Sequence, residues 1–342
     1  MGSEIISVSA MAISEMISDP KRATDHYDPA RRRFFNPWKD TDTALADLLR
    51  WWVTADRKPW PASVENRPHP TPPARVPAGR AALTFIGHAT WLVRMHGLTI
   101  LTDPHFSPSA GPRGRFGPRR VRPPGIDLQQ LPPLDAIFVS HAHYDHLDLP
   151  SLQRLAAAAT APRVVVPLGL GSFLEGHGIP RVTEHDWWDE VDLGTATLTL
   201  TPAQHWSNRT TLARNATLWS GAYLEHRAGG TVYFAGDTGY APCFGDIRAR
   251  LGAPGVALLP IGAYEPRWIM RDHHMNPDDA VRAHLDLGAR VSFGMHFGFF
   301  RLTDEGYDEP VQALEVARTA HGVAADAFRV IDVGATTLVR AV

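Results

Sequence analysis

One heptapeptide constrains this chain more than any other feature: Ser140-His141-Ala142-His143-Tyr144-Asp145-His146, directly after the apolar run Ala136-Ile137-Phe138-Val139. The run reads as a buried strand, so three imidazoles and one carboxylate stand in the loop that leaves a strand end. In so tight a loop His141 and His143 can face one side while Asp145 and His146 face another. That arrangement offers donors to two adjacent metals rather than to one. Three more polar residues stand where apolar runs end: His205 after residues 198–200, Asp237 after 231–234 and His296 after 291–293. Singly, each has an ordinary explanation, a hydrogen-bonded histidine or an Asx turn in Gly236-Asp237-Thr238-Gly239. As an ordered set following the histidine-rich loop, they point to one shared metal centre.

Composition narrows the rest. The 342 residues exceed one average domain, and 44% hydrophobic with 20% charged residues fits a folded protein with a sizeable core. Disordered, collagenous and coiled-coil classes are thereby excluded. A net charge of -2 leaves no Lys/Arg excess for a phosphate backbone, so nucleic acid is not an expected partner. The single cysteine, Cys243, excludes a disulfide framework and a Cys-rich zinc finger, while 17 histidines favour metal chemistry. No run of 18 apolar residues exists, so no transmembrane helix is expected. Residues 5–17 are apolar-rich but lack a leading Lys or Arg, and Arg31-Arg32-Arg33-Phe34-Phe35 runs into Asn36-Pro37 rather than a hydrophobic stretch. Neither reads as a secretion signal, and a cytoplasmic location is expected.

The chain divides at about residue 79. Before it, a helix is expected over 43–53, where Leu45, Leu48, Leu49 and Trp52 recur at helical spacing and Asp42 or Thr43 can cap. Residues 57–77 hold seven prolines and read as an extended arm. After it, strands are expected at 82–86, 90–95, 98–101, 136–139, 164–166, 196–200, 218–224, 232–234, 256–259, 291–293 and 328–331. Helices are expected at 149–159, 244–251, 277–287 and 310–320. Strands early and late with helices between them suggest an α+β protein, two sheets with helices outside.

From about residue 82 to 342 the sequence resembles the metallo-β-lactamase superfamily, carried by the His141–His146 loop and the ordered residues His205, Asp237 and His296. The resemblance implies a four-layer αββα sandwich, with residues 1–78 as an N-terminal arm packing on a hydrolase domain at 79–342. It implies two zinc ions: one held by His141, His143 and His205, the other by Asp145, His146 and His296, with Asp237 bridging. Iron or manganese would also suit such donors. Asp103, in Leu101-Thr102-Asp103-Pro104, matches an acidic residue that supports the site from behind.

A narrower likeness rests on Phe35-Asn36-Pro37-Trp38, Gly87-His88-Ala89-Thr90, Gln204-His205-Trp206-Ser207 and His274-Met275-Asn276-Pro277. These segments resemble the branch of N-acylphosphatidylethanolamine-hydrolysing phospholipases D. The branch implies a dinuclear zinc phosphodiesterase acting on N-acylphosphatidylethanolamine or a similar lipid phosphodiester through attack of metal-bound hydroxide. Asp145 and His274 would be catalytic, Asp145 orienting the hydroxide and His274 supplying a proton to the leaving alkoxide. The alternative on the same fold is hydrolysis of another ester: a lactone, a cyclic phosphodiester or a sugar-phosphate lactone. Expected partners are a phospholipid or other small ester and, through the aromatic and Arg-rich arm, a membrane surface; the branch also implies a homodimer. The arginines between 113 and 122 read as a mobile loop able to bind an anion, and His88 and His105 lack the spacing of metal donors.

Overall fold

The computed structural model describes residues 24–73, 75–209 and 214–341; the apolar stretch at 5–17 lies outside the described residues. The chain opens with a short antiparallel ribbon, β1 (Tyr27–Asp28) and β2 (Arg33–Phe34), and helix α1 (Leu45–Thr54). Then follow β3 (Arg80–Gly87), β4 (Thr90–Met95), β5 (Leu98–Thr102), β6 (Ala136–Phe138), α2 (Leu149–Ala156), β7 (Arg163–Pro167), α3 (Gly171–Gly176), β8 (Val182–His185), β9 (Glu190–Asp192) and β10 (Ala196–Thr201). The rest comprises β11 (Gly221–His226), β12 (Thr231–Phe234), α4 (Cys243–Leu251), β13 (Val256–Pro260), α5 (Arg267–Met270), α6 (Pro277–Leu287), β14 (Val291–Met295), α7 (Glu309–Ala320), β15 (Phe328–Arg329) and β16 (Thr336–Arg340).

The strands form two seven-stranded sheets, ordered β16-β3-β4-β5-β6-β7-β8 and β15-β14-β13-β12-β11-β10-β9. Each is antiparallel at one end and parallel at the other, the change falling at β5 and at β12. Strand alternation builds the layers. Trp91, Val93 and Met95 on β4 enter the core shared with Leu198, Tyr223 and Phe234 of the second sheet. Leu92, one residue out of phase, joins Ile137, Val164 and Val166 in a second cluster with Leu152 and Leu155 of α2. That period of two is the signature of a sheet covered on both faces. Helix α6 packs against both α4 and α7 and lies against β13. The result is the αββα sandwich of the α+β class that the sequence implied.

Two helix starts bear on the site. At α6 the expected boundary holds: Asn276 caps by accepting from the Asp279 N–H at 2.8 Å, Pro277 stands in the first turn and Gly288 ends the helix in the left-handed region. At α1 it does not. The N-cap is Ala44, with no side-chain cap. Asp42 instead pairs with Arg33 at 2.9 Å and with Arg214 at 3.5 Å, and the Thr43 hydroxyl lies 3.0 Å from His273 Nε2. Both expected caps are taken by tertiary contacts.

Two arginines of the stretch 113–122 are anchored to the body of the fold. Arg120 donates to the His105 carbonyl at 2.7 Å and Arg122 to Asn66 Oδ1 at 2.6 Å. Among the described residues no helix is long and apolar enough to cross a membrane.

Candidate metal centre

Five strand ends meet at one edge of the sandwich. Asp103 follows β5, the histidine-rich loop follows β6, and His205, Asp237 and His296 follow β10, β12 and β14. The loop closes into a helical turn, with the N–H groups of His146 and Leu147 donating to the His143 carbonyl. Half-buried Arg209 holds it from below by donating to the carbonyls of Ala142 at 3.0 Å and Leu147 at 2.8 Å. Gly236 lets the Asp237 turn approach: its φ is 62°, and a Cβ there would stand 2.9 Å from Ser140 Cβ. His88, Asp103 and His296 also occupy the left-handed region, at ~1–3 kcal/mol each for non-glycine residues, a cost concentrated at functional sites.

The structure brings all seven residues singled out in the sequence together at one pocket. In one group, His141 Nε2 and His143 Nδ1 lie 2.8 Å apart, and His143 Nδ1 and His205 Nε2 3.2 Å apart. In the other, His146 Nε2 and His296 Nε2 are 3.1 Å apart and lie 3.4 and 3.3 Å from Asp145 Oδ2. Asp237 Oδ2 stands 3.1 Å from both of these nitrogens, 4.0 Å from His141 Nε2 and 3.8 Å from His205 Nε2, so it borders both groups.

These spacings fit a metal pair. A regular tetrahedron with edges of about 3.3 Å has its centre ~2.0 Å from each corner, the bond length of a first-row cation such as zinc to nitrogen or oxygen. Five of the six separations among the atoms of Asp145, His146, Asp237 and His296, from 3.1 to 3.4 Å, have that size. Asp237 Oδ1 is buried without a hydrogen-bond partner, as suits a carboxylate with a second oxygen to offer.

Outer partners decide which imidazole nitrogens face inward. His146 Nδ1 donates to Asp103 Oδ2 at 2.6 Å. His141 Nδ1 donates to Ser140 Oγ at 2.9 Å, and that hydroxyl donates in turn to Asp103 Oδ2 at 2.7 Å. His205 Nδ1 donates to the His273 carbonyl at 2.9 Å. Each bond leaves an Nε2 lone pair aimed at the cluster, the pattern that fixes tautomer and ring orientation around metals.

Electrostatics point the same way. Burial holds His141 and His205 well below the ordinary imidazole value, and His143 at about 4, so these rings are neutral donors at pH 7. Burial opposes ionisation of Asp145 and Asp237, but the imidazoles of His146 and His296 overcome it and keep both carboxyls well below their usual range. Conversely, burial opposes charge on His296, yet Asp237 and Asp145 raise it to about 9. Two buried carboxylates here call for positive charge, which protonated His146 and His296 carry in the metal-free protein and a divalent cation would supply in place of those protons.

Two neighbours extend the expected set. His88, given no role by its spacing, places Nε2 3.0 Å from Asp145 Oδ2 and steadies that carboxylate. It stands just past β3, the same strand-end position that marks the other residues. His274 borders the group with Nδ1 3.9 Å from Asp237 Oδ2, a nitrogen that is buried and without a hydrogen-bond partner.

The group opens into a cavity of about 360 Å³. His143, Asp145, Asp237 and His274 form its polar end; Leu48 and Trp51 of α1, Ile269 and Met270 of α5, and Leu302 give it apolar walls. Sequence periodicity had no purchase on Ile269 and Met270, which lie on a four-residue helix.

Known proteins agree with this architecture. A family model described as the β-lactamase superfamily domain matches residues 99–297, more than half the chain. An uncharacterized protein of Mycobacterium tuberculosis is 43% identical over 248 residues, covering 70% of this chain and 64% of its own length. The chain thus spans less than two thirds of that relative. The N-acyl-phosphatidylethanolamine-hydrolyzing phospholipase D 1 of Caenorhabditis elegans is 39% identical over 265 residues, covering 73% of this chain and 74% of its own. Among solved structures, a metallo hydrolase of Ignicoccus hospitalis shares the fold with a TM-score of 0.56 at 24% identity, over 76% of this chain and 98% of its own. The chain belongs to the metallo-β-lactamase superfamily, in the branch that resembles N-acylphosphatidylethanolamine-hydrolysing phospholipase D.

Proposed function

We propose that this protein is a dinuclear zinc phosphodiesterase of phospholipase D type, acting on N-acylphosphatidylethanolamine or a similar lipid phosphodiester. The observation that carries the proposal is the pairing of two adjoining donor groups with an apolar-walled cavity opening directly onto them. His141, His143 and His205 would hold one ion, Asp145, His146 and His296 the other, and Asp237 both. Mixed imidazole and carboxylate donors of tetrahedral size favour zinc. Such a pair, when bound, supplies Lewis acidity toward water and toward the phosphoryl oxygens.

The chain's own residues do the rest. Asp145, steadied by His88, orients the attacking water toward phosphorus. The cleaved P–O bond releases an ethanolamide alkoxide, and His274, its ring held by burial at about 4 and so neutral at pH 7, relays to it the proton given up by the attacking water. Arg267 fixes that histidine by donating to its carbonyl at 2.8 Å while pairing with Asp279 at 2.6 Å. The apolar walls take up acyl chains and keep bulk water from the reacting centre. Trp52 and Val53, each 75% exposed on α1, lie next in sequence to cavity-lining Trp51 and support contact with a lipid surface.

The test is to incubate zinc-loaded protein with N-acylphosphatidylethanolamine in mixed micelles and identify products by mass spectrometry. N-acylethanolamine and phosphatidic acid are expected in equal amounts. Intact phospholipid beside rapid hydrolysis of a lactone would overturn the proposal in favour of another ester.

A further inference from the structure

We infer that Asn36, in the N-terminal segment Phe35-Asn36-Pro37-Trp38, is a positioning residue for the metal held by His141, His143 and His205. The inference rests on the metal-centre reading and not on the identity of the substrate.

Strand β10 ends at Thr201, and the last ladder contact beyond it is the bridge between Gln204 and Gly239. His205 therefore lies one residue past the end of its sheet, buried, with backbone groups that need partners. Asn36 supplies both. Its Oδ1 accepts from the His205 N–H at 3.2 Å, and its Nδ2 donates to the His205 carbonyl at 2.8 Å. The side-chain amide pairs with His205 as a neighbouring strand would, across 169 residues of sequence. A planar group with adjacent donor and acceptor is required, which among side chains means Asn or Gln.

The amide is itself fixed. Asn36 is 6% exposed, and its Nδ2 also donates to Thr41 Oγ1 at 2.6 Å. On one side, buried Phe34 donates its N–H to the Asn215 carbonyl at 2.8 Å. On the other, Trp38 stacks against Trp187 with centroids 5.8 Å apart. Because the His205 ring is tied through Nδ1 to the His273 carbonyl, backbone and ring are both anchored. Only Nε2 remains, directed at His143 Nδ1 and Asp237 Oδ2. The segment at 35–38 is thus part of the metal centre's frame, which its distance in sequence conceals.

The experiment uses full-length protein loaded with two equivalents of zinc, and competition with a chromophoric chelator to resolve the two affinities. Asn36→Asp keeps the acceptor and the size but replaces the donor facing the His205 carbonyl with oxygen; Asn36→Ala removes both bonds. One of the two zinc affinities is expected to fall about 10- to 100-fold, the scale of lost outer-partner contacts, while the other stays at the wild-type value. Should Asn36→Asp not fold, Asn36→Ala and Asn36→Ser, which introduce no charge, carry the same measurement. A lowered melting temperature with both affinities unchanged would show a merely structural role and overturn the inference. A wild-type protein that binds no pair of ions would instead overturn the metal-centre reading beneath it.

Discussion

Asp103 Oδ2 lies 2.6 Å from His146 Nδ1 and takes the Ser140 hydroxyl at 2.7 Å, while Asp103 Oδ1 takes the Ser140 N–H at 2.7 Å. One fully buried carboxylate thereby sets the tautomer of His146 directly and of His141 through Ser140, one imidazole from each donor group. Asp103→Asn keeps the shape but places an NH₂ or a weaker acceptor opposite these donors. Zinc affinity is expected to drop about 10- to 100-fold at both sites, not at one. Isothermal titration against a competing chelator checks this, and an unchanged affinity would remove Asp103 from the supporting frame.

The seven strand-end residues were legible in the sequence because a strand written in apolar residues points to its own end, and a polar residue placed there is visible without tertiary knowledge. Asp103 was legible for the same reason, after Leu98–Thr102. What stayed hidden is what one residue does to another far along the chain. His88 had the right position, yet nothing in its spacing announces a 3.0 Å contact with Asp145. Asp42 and Thr43 read as helix caps because local capping is the commonest fate of such residues ahead of an apolar helix. The Arg214 and His273 side chains reach them first. The arginines around 113–122 read as mobile from their glycines and prolines, but Arg120 and Arg122 are anchored by a carbonyl of residue 105 and a side chain of residue 66.

The proposed role of His274 is in the chemistry and not in metal holding, although it also stands within reach of His205 and Asp237. Its Nδ1 stands 3.9 Å from Asp237 Oδ2, too far for a hydrogen bond, and its ring faces the cavity. His274→Ala is expected to lower kcat by ~10²–10⁴, the range contributed by a general acid, with two zinc ions still bound per chain. Steady-state kinetics together with metal analysis of the dialysed variant decide the matter. Loss of one zinc ion would make His274 a donor instead.

The apolar wall contributed by α1 is expected to matter for substrates with chains and not for those without. Trp51 lines the cavity and is held there by donating its indole N–H to Asp304 Oδ2 at 3.0 Å. Trp51→Ala should raise KM for a long-chain phosphodiester about 5- to 150-fold, since losing a large apolar contact is worth about 1–3 kcal/mol, while a short-chain analogue keeps its wild-type KM. Equal effects on both chain lengths would mean that the residue shapes the fold and not the acyl site.

Arg214 is the one Lys or Arg among the described residues that line the cavity. Its guanidinium lies over the Trp206 ring at 4.6 Å, and its Nε is 3.5 Å from Asp42 Oδ1. The guanidinium also donates to the Thr41 carbonyl at 3.4 Å; standing beside the donor groups, it can exchange part of its attraction to Asp42 for an anionic substrate, with which Asp42 then competes. Arg214→Gln should therefore raise KM for an anionic phosphodiester about tenfold, equivalent to ~1.4 kcal/mol, with kcat little changed. Asp42→Asn should lower the same KM by removing the competitor. A neutral carboxylic ester processed by the same site serves as the control, because charge pairing cannot act on it. If both variants shift KM for neutral and anionic substrates alike, Arg214 acts by packing on Trp206, and the cavity selects its substrate by shape alone.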